Sequence, residues 1–575
     1  MKAFIKVLIA AALTTTATGC EKFLDVNNNP NTALTVPPDA LLAAALVTTA
    51  ANYHGGVSAG NNYNTYASFA VGYWGKSGTV SGFSPERTYG YNNTYNQSLF
   101  NSTYDNLNDY NIIQTNGTKT YPNHAAIARI MKAYNYLLLV DQFGDIPYKQ
   151  ALQALGNTTP NYDKAEDIYK DLVVQLKGAV TDINAVPAGS LVVGNEDVVF
   201  NGGTTGMLRW KAFANSLRLR ILLRESSTGD ATRDAYVRTE MAALQTEAAT
   251  PTGGGFIDRD VVVQPGYSPN TNQQNPFYDR YGFAPGATRG QAEYSFILPT
   301  NYIIRQYKSN SDPRITQLYR QGGFNNADGQ RNVSPTSAIP GIVGTDLGEQ
   351  QPPQFDPGDS VDTVGSRLLR GGAFLRGANA PTVIMLLSEN LFSKAEAETR
   401  GLFTGGNVAA KADFMDGIKA SFVTTYRDVN TAPASLATST AGNVAGIAQY
   451  NTYITATANA ANGLVNYDAP TTTVRQGTDP TVNLTPTPEA PLATPRAVSN
   501  QEKILYQKYV AENTVASTEA LDDYRRTGLP RIKLSLQRGA NSLPYRLFYP
   551  QTETSTNSAN VPNGVTQFTK IFWQN

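Results

Sequence analysis

The chain has 575 residues, with Lys+Arg and Asp+Glu both at 46 and a formal net charge of +0. Such a neutral balance excludes nucleic acid as a partner, because phosphate binding needs a cationic surface. Charged residues are only 16% and there are 32 Tyr against 3 Trp, so the exterior must be made polar by Asn, Gln, Thr, Ser and Tyr.

Lys2 and Lys6 precede an apolar run from Val7 to Leu13, then the small residues Ala17-Thr18-Gly19 and the only cysteine, Cys20. A basic start, a short apolar core and a small-residue cleavage site make a secretory signal. The core is shorter than the ~20 residues a spanning helix needs. A cysteine directly after the cleavage site resembles a bacterial lipoprotein signal, and no second thiol exists to form a disulfide. That resemblance implies a signal peptide over residues 1–19 and a lipid on Cys20. Residues 20–36 read as an extended tether, rich in Asn with Pro30. A calcium loop beginning at Asp25 fails, since Pro30 replaces the required Gly and Val36 the bidentate Glu.

Pro37 to Ala51 is the first predicted helix, with proline well placed at its start. Residues 53–95 lose the helical period and fill with Gly, Asn and aromatics, which reads as an ordered loop layer. Helices follow over Asn101–Ile113 and His124–Asp141, the second with Ile127, Ile130, Met131, Tyr134, Leu137 and Leu138 on one stripe. Further helices span Asp163–Ile183, with Asp163 and Glu166 as cap and N3 pair, then Thr205–Arg224 and Asp230–Thr246. Neighbouring helices with short connections favour helical hairpins. Residues 253–380 are again loop-like. Thr382–Arg400 and Ala409–Tyr426 are a helical pair, with Gly401 at the stop of the first. Residues 430–499 read as a surface insertion rich in Ala, Thr, Asn and Pro. Ser499 and Glu502 cap a helix through Glu512, and Ser517–Arg526 forms another before Gly528.

Chemistry-bearing motifs are few. Gly56-Val57-Ser58-Ala59-Gly60 fits a nucleophile-elbow pattern but lacks the preceding strand and following helix it needs. Ala70 to Ser77 fits a relaxed phosphate loop, yet Tyr73 and Trp74 crowd a backbone that must wrap an anion. Two histidines, His54 and His124, are too few for a zinc site, so no metal, cofactor or catalytic group is expected. Paired carboxylates for glycoside hydrolysis stay open on composition alone. The aromatic clusters carry the functional signal. A sugar ring offers an apolar face for Tyr or Trp and a rim of hydroxyls for Asn or Arg. Asn62, Tyr73, Trp74 and Arg87 are the expected binding set, with Tyr278 and Tyr281 as an opposite wall.

Several stretches together resemble the SusD/RagB-type outer-membrane lipoproteins, in their SusD-like subgroup. They are Cys20 with Phe23-Leu24-Asp25 and Asn27 to Asn31, and Asp141 to Tyr148. They continue with Trp210 to Arg220, Ala395-Glu396-Ala397 with Arg400-Gly401, Asp523 to Gly528 with Pro530, and Tyr549-Pro550 with Glu553. The resemblance implies a mainly α, tetratricopeptide-like fold with irregular loops forming a ligand face. Residues 37–575 would be one such domain with loop insertions near 53–95, 253–380 and 430–499. It also implies a non-catalytic, surface-exposed protein of the outer membrane that binds oligosaccharide and delivers it to a TonB-dependent SusC-like barrel. A peptide or other nutrient binder serving such a barrel, and a secreted glycoside hydrolase, are the alternatives. Independently of the family, the Arg residues of the helices ending at Arg224 and Arg400 are expected to pair with carboxylates inside the helical stack.

Overall fold

A computed structural model describes residues 36–574 apart from 56–61, 118, 289, 323, 326–330, 333–340, 351, 353–364, 439–443 and 473–495. The predicted signal, Cys20, nearly all of the tether and the Gly56–Gly60 motif lie outside the described residues.

The chain is mainly helical. It opens with α1 (Pro38–His54), α2 (Tyr63–Ala70) and a short strand β1 (Trp74–Lys76). Five long helices follow: α3 (Gln97–Gly117), α4 (Pro122–Phe143), α5 (Ala165–Asn184), α6 (Gly203–Arg224) and α7 (Ala231–Ala248). Each packs on the next, α3 on α4 and α6 on α7 through short connections and the pairs between them through longer loops, giving the expected tetratricopeptide-like series of hairpins. The loop layer contributes β2 (Val261–Val263), α8 (Pro276–Tyr281), β3 (Ile297–Pro299) and β4 (Thr382–Met385). The scaffold closes with α9 (Leu387–Thr399), α10 (Gly406–Tyr426), α11 (Asn500–Glu512) and α12 (Ser517–Thr527).

Local chemistry explains most boundaries. Asp230 accepts a hydrogen bond from Arg233 N at 2.8 Å, and Ser499 accepts one from Glu502 N at 3.1 Å, so both cap their helices. Helix α4 ends at Gly144, where φ is 74° and a Cβ would sit 2.6 Å from an Arg546 guanidinium nitrogen. Asp163 does not cap α5. Its carboxylate accepts from the backbone of Tyr148 and Lys149, while Asp145 accepts from Ala165 N at 2.9 Å.

Three expectations change. The stretch 53–95 contains α2, so it is not wholly loop. Residues Thr382–Met385 are a strand, because they pair antiparallel with β2 instead of extending α9. Within 430–499, Tyr450, Tyr453, Val465 and Tyr467 join Phe392, Phe414 and Phe422 in a second apolar core, so this part of the predicted insertion is bound into the scaffold.

Helix α4 along most of its length and helix α6 from Trp210 to Arg224 are buried around nearly the whole circumference, not along one stripe, because neighbours surround them. Between them and α9, α11 and α12 lies a buried ionic centre. Arg220 grips Glu389 bidentately at 2.8 and 2.9 Å, and Arg526 grips Glu396 at 2.7 and 2.5 Å. Arg224 pairs with Asp141 and with Glu519, and Lys508 with Asp523 at 2.8 Å. Burial alone would push Glu396 up, but the Arg526 guanidinium holds its carboxyl well below the usual range. Burial pushes Asp141 up to about 7, with Arg224 opposing the shift. The indole of Trp573, fully buried, covers this centre, with the Arg525 guanidinium 5.1 Å and that of Arg224 5.9 Å from its ring.

Arg526→Ala leaves the buried Glu396 with Arg400 at 3.2 Å and Gln501 at 2.9 Å in place of its bidentate partner, and is expected to lower stability by about 3–5 kcal/mol. Thermal denaturation checks this, and the paired change Arg526→Met with Glu396→Met should recover most of the loss.

Candidate functional site

The expected binding rings are interior. Trp74 is 1% exposed and Tyr73 fully buried, because β1 pairs with β3 in the register Trp74↔Pro299 beneath the loop layer. The Trp74 indole N–H donates to Thr514 Oγ1 at 2.9 Å, and its ring lies 5.1 Å from Tyr281 and 6.0 Å from Phe69. Tyr281 shares a 2.5 Å hydrogen bond with Thr65 Oγ1, and Asn62 caps α2 by accepting from Thr65 N at 2.8 Å. Tyr73 donates to the Tyr509 carbonyl at 2.5 Å, with the two rings 4.6 Å apart. Tyr278 is buried, its ring 6.4 Å from that of Phe283. Arg87 is half-buried and donates to Gln537 Oε1 at 3.0 Å.

Asn62, Trp74 and Tyr281 therefore come together, while Tyr73 and Arg87 are held by other partners. Most of their polar atoms are bonded internally, so the rings pack the loop layer onto α11 and α12 instead of presenting a stacking face. This corrects the expectation of an exposed aromatic platform. The phosphate-loop reading of Ala70–Ser77 also fails, since Lys76 Nζ donates to the carbonyls of Ser77 and Val80 and Ser77 Oγ to that of Ser295.

The aromatic cluster forms one wall of a cleft. Phe277, 6.4 Å from Trp74, and Thr514, the Trp74 partner, both line it. His54 at the end of α1, Thr424 on α10 and the loop residues Phe374 and Arg376 supply the other sides. Its volume is about 80 Å3. No Asp or Glu lines it among the described residues.

Four polar groups define its chemistry. His54 Nε2 lies 2.7 Å from the Val383 carbonyl, which can only accept, so that nitrogen carries the proton. His54 Nδ1 is left as an acceptor with no partner among the described residues. Burial pushes the imidazole down to about 4, so it is neutral at pH 7. Ser388 Oγ, also in the lining, is buried without a partner among the described residues. Arg314 is committed, pairing with Asp312 at 2.5 Å and donating to Ser421 Oγ at 2.7 Å. Arg376 donates only to the Thr424 carbonyl, at 2.5 Å, among the described residues. Burial, with the nearby Arg427, pushes the Arg376 guanidinium down to about 9. The neighbouring Asp260 is spent on Arg427 at 2.9 Å, Thr424 Oγ1 at 2.7 Å and Leu387 N at 2.9 Å.

At Pro381 this cleft meets a more open basin of about 470 Å3, lined in part by Arg259, Gln264, Tyr267, Asn379 and Asn430. Sequence reasoning missed His54, Ser388 and Arg376. No local pattern marks them, because stretches far apart in sequence, from His54 to Val515, bring the cleft together. Among the described residues no group of three or more His, Cys, Asp or Glu is arranged to hold a metal ion.

The model of the SusD-like family described as "Starch-binding associating with outer membrane" matches residues 30–550. The chain belongs to that family. Among solved structures, a chitin-binding protein is 22% identical with a TM-score of 0.64, over 93% of this chain and 99% of its own. A SusD/RagB family protein from Bacteroides thetaiotaomicron is 19% identical with a TM-score of 0.63, over 94% and 99%. A SusD homolog from Bacteroides fragilis is 19% identical with a TM-score of 0.64, also over 94% and 99%. At these identities the likeness shows the fold. No curated protein matches the chain.

Trp74→Ala removes a buried indole and its hydrogen bond. It is expected to cost about 3–5 kcal/mol of stability, read as a lower midpoint in chemical denaturation. The intact fold expected of an exposed ring would show no such shift.

Proposed function

We propose that this SusD-like protein is a non-catalytic glycan-binding lipoprotein of the outer membrane. Cys20 carries the lipid, the protein faces outward, and it hands oligosaccharide to a TonB-dependent SusC-like barrel. The observation that carries this reading is the family match over residues 30–550. The cleft supports it: the aromatic rings of Phe277 and Phe374 stand beside the unspent polar groups of His54 and Ser388. Such a mixture suits a ligand with an apolar face and a hydroxyl rim. Binding needs no group tuned for proton transfer, and the one histidine in the cleft is neutral and takes up a second proton only near pH 4.

The test is affinity electrophoresis of the mature chain in gels containing starch, chitin, pectin or other polysaccharides, with reducing ends assayed in parallel. Retarded migration in at least one gel without release of reducing ends is expected. Release would make the protein a hydrolase, and unretarded migration throughout would remove glycan as the ligand. Fractionation of cells expressing Cys20→Ala should shift the protein from the membrane to the soluble fraction; continued membrane residence would mean a different tether.

A further inference from the structure

We propose that the cleft beside His54 takes the carboxylate of an acidic sugar residue, with Arg376 as its counter-ion. This deepens the glycan-binding reading and rests on it.

Charge is the first argument. Arg220 and Arg526, buried in the scaffold, are matched with Glu389 and Glu396, while the buried Arg546 and Lys503 are met by backbone carbonyls. Within the cleft Arg314 is matched by Asp312. Arg376 has no salt bridge among the described residues, and no acidic side chain lines the space it faces. Of the two acids whose charge acts on Arg376, Asp260 is already held by Arg427, and Asp428 is exposed and accepts from Asn430 N at 2.9 Å. A half-buried guanidinium with the rest of its fork uncommitted beyond the Thr424 carbonyl is a receptor for a planar anion, and a carboxylate can accept hydrogen bonds from it. A doubly charged phosphate would call for more cations than this one.

The remaining groups suit a sugar around that carboxylate. His54 Nδ1 accepts, and Ser388 Oγ both donates and accepts, so each can meet a ring hydroxyl. Phe277 and Phe374 offer apolar cover for the C–H face. A volume of about 80 Å3 equals roughly six water positions. That admits a carboxylate and the ring atoms next to it, not a whole chain. The ligand therefore enters by an end residue, and its further residues extend past Pro381 into the open basin, where Gln264, Asn379 and Asn430 serve neutral hydroxyls.

The test is isothermal titration of the mature chain with three probes: tri-galacturonate, its methyl ester and maltotriose. The ester keeps the shape and removes the charge. Tri-galacturonate should bind about tenfold tighter than the ester, the value of one hydrogen-bonded charge. Arg376→Gln should abolish that preference, and Arg376→Lys should keep part of it. Thermal melts of both variants report whether the fold is intact, and a preference lost in Arg376→Gln but kept in an equally stable Arg376→Lys assigns the effect to charge. Equal binding of acid and ester, tighter binding of maltotriose, or an unchanged preference in Arg376→Gln would overturn the inference and leave glycan binding standing. A sulfated glucan bound in preference to tri-galacturonate would overturn it too. Failure of every glycan, including the polysaccharide gels, would overturn both.

Discussion

The structure depends on charges that cannot be left alone. Arg220, Arg224 and Arg526 reach their partners from helices far apart in sequence, and all are buried. A buried ion is costly unless paired and hydrogen-bonded. Each helix of the centre therefore carries half of an ion pair whose other half lies on another helix. Apolar burial would tolerate several ways of stacking these helices, whereas bidentate pairs such as Arg220–Glu389 fix their rotation and register. The family resemblance draws on the same groups: Asp141, Arg220, Glu396, Arg400, Asp523 and Arg526 all stand in the quoted stretches and all belong to this centre or touch it.

The aromatic cluster plays a second, joining part. Trp74, Tyr281 and Phe277 lie where α8 and β1 of the loop layer meet the turn after α11. One indole N–H on Thr514 ties the two layers, and the rings fill the space between. The cleft is the edge of this joint, where packing stops and His54 Nδ1 and Ser388 Oγ are left without partners among the described residues. The proposed binding site thus lies where scaffold and loops meet, as is common for ligand sites set between structural units.

Much of the scaffold was legible in the sequence. The helical period and the caps at Asp230 and Ser499 lie within one or two turns of chain, and local chemistry decides them. The internal pairing of the helix arginines was legible too, since so many basic residues on apolar helices have to be neutralised. Long-range pairing was not. Apolar residues from Thr382 onward fit a helical period, but β2 claims them for a strand. Asp163 has the right spacing for a cap, yet the bridge between Ile146–Pro147 and Tyr162–Asp163 turns its carboxylate toward Tyr148 and Lys149. Aromatic density around Trp74 signalled order without saying which side of the layer the rings take. Arg376 was invisible for a related reason: its significance is the lack of an acidic partner in three dimensions, which no spacing records.

Trp573 sits against Arg224 and Arg525 and is fully buried. Its indole takes the place of water over two guanidiniums. The ion pairs beneath it act in a dry setting only while that roof is shut, so a local opening there would wet several of them at once.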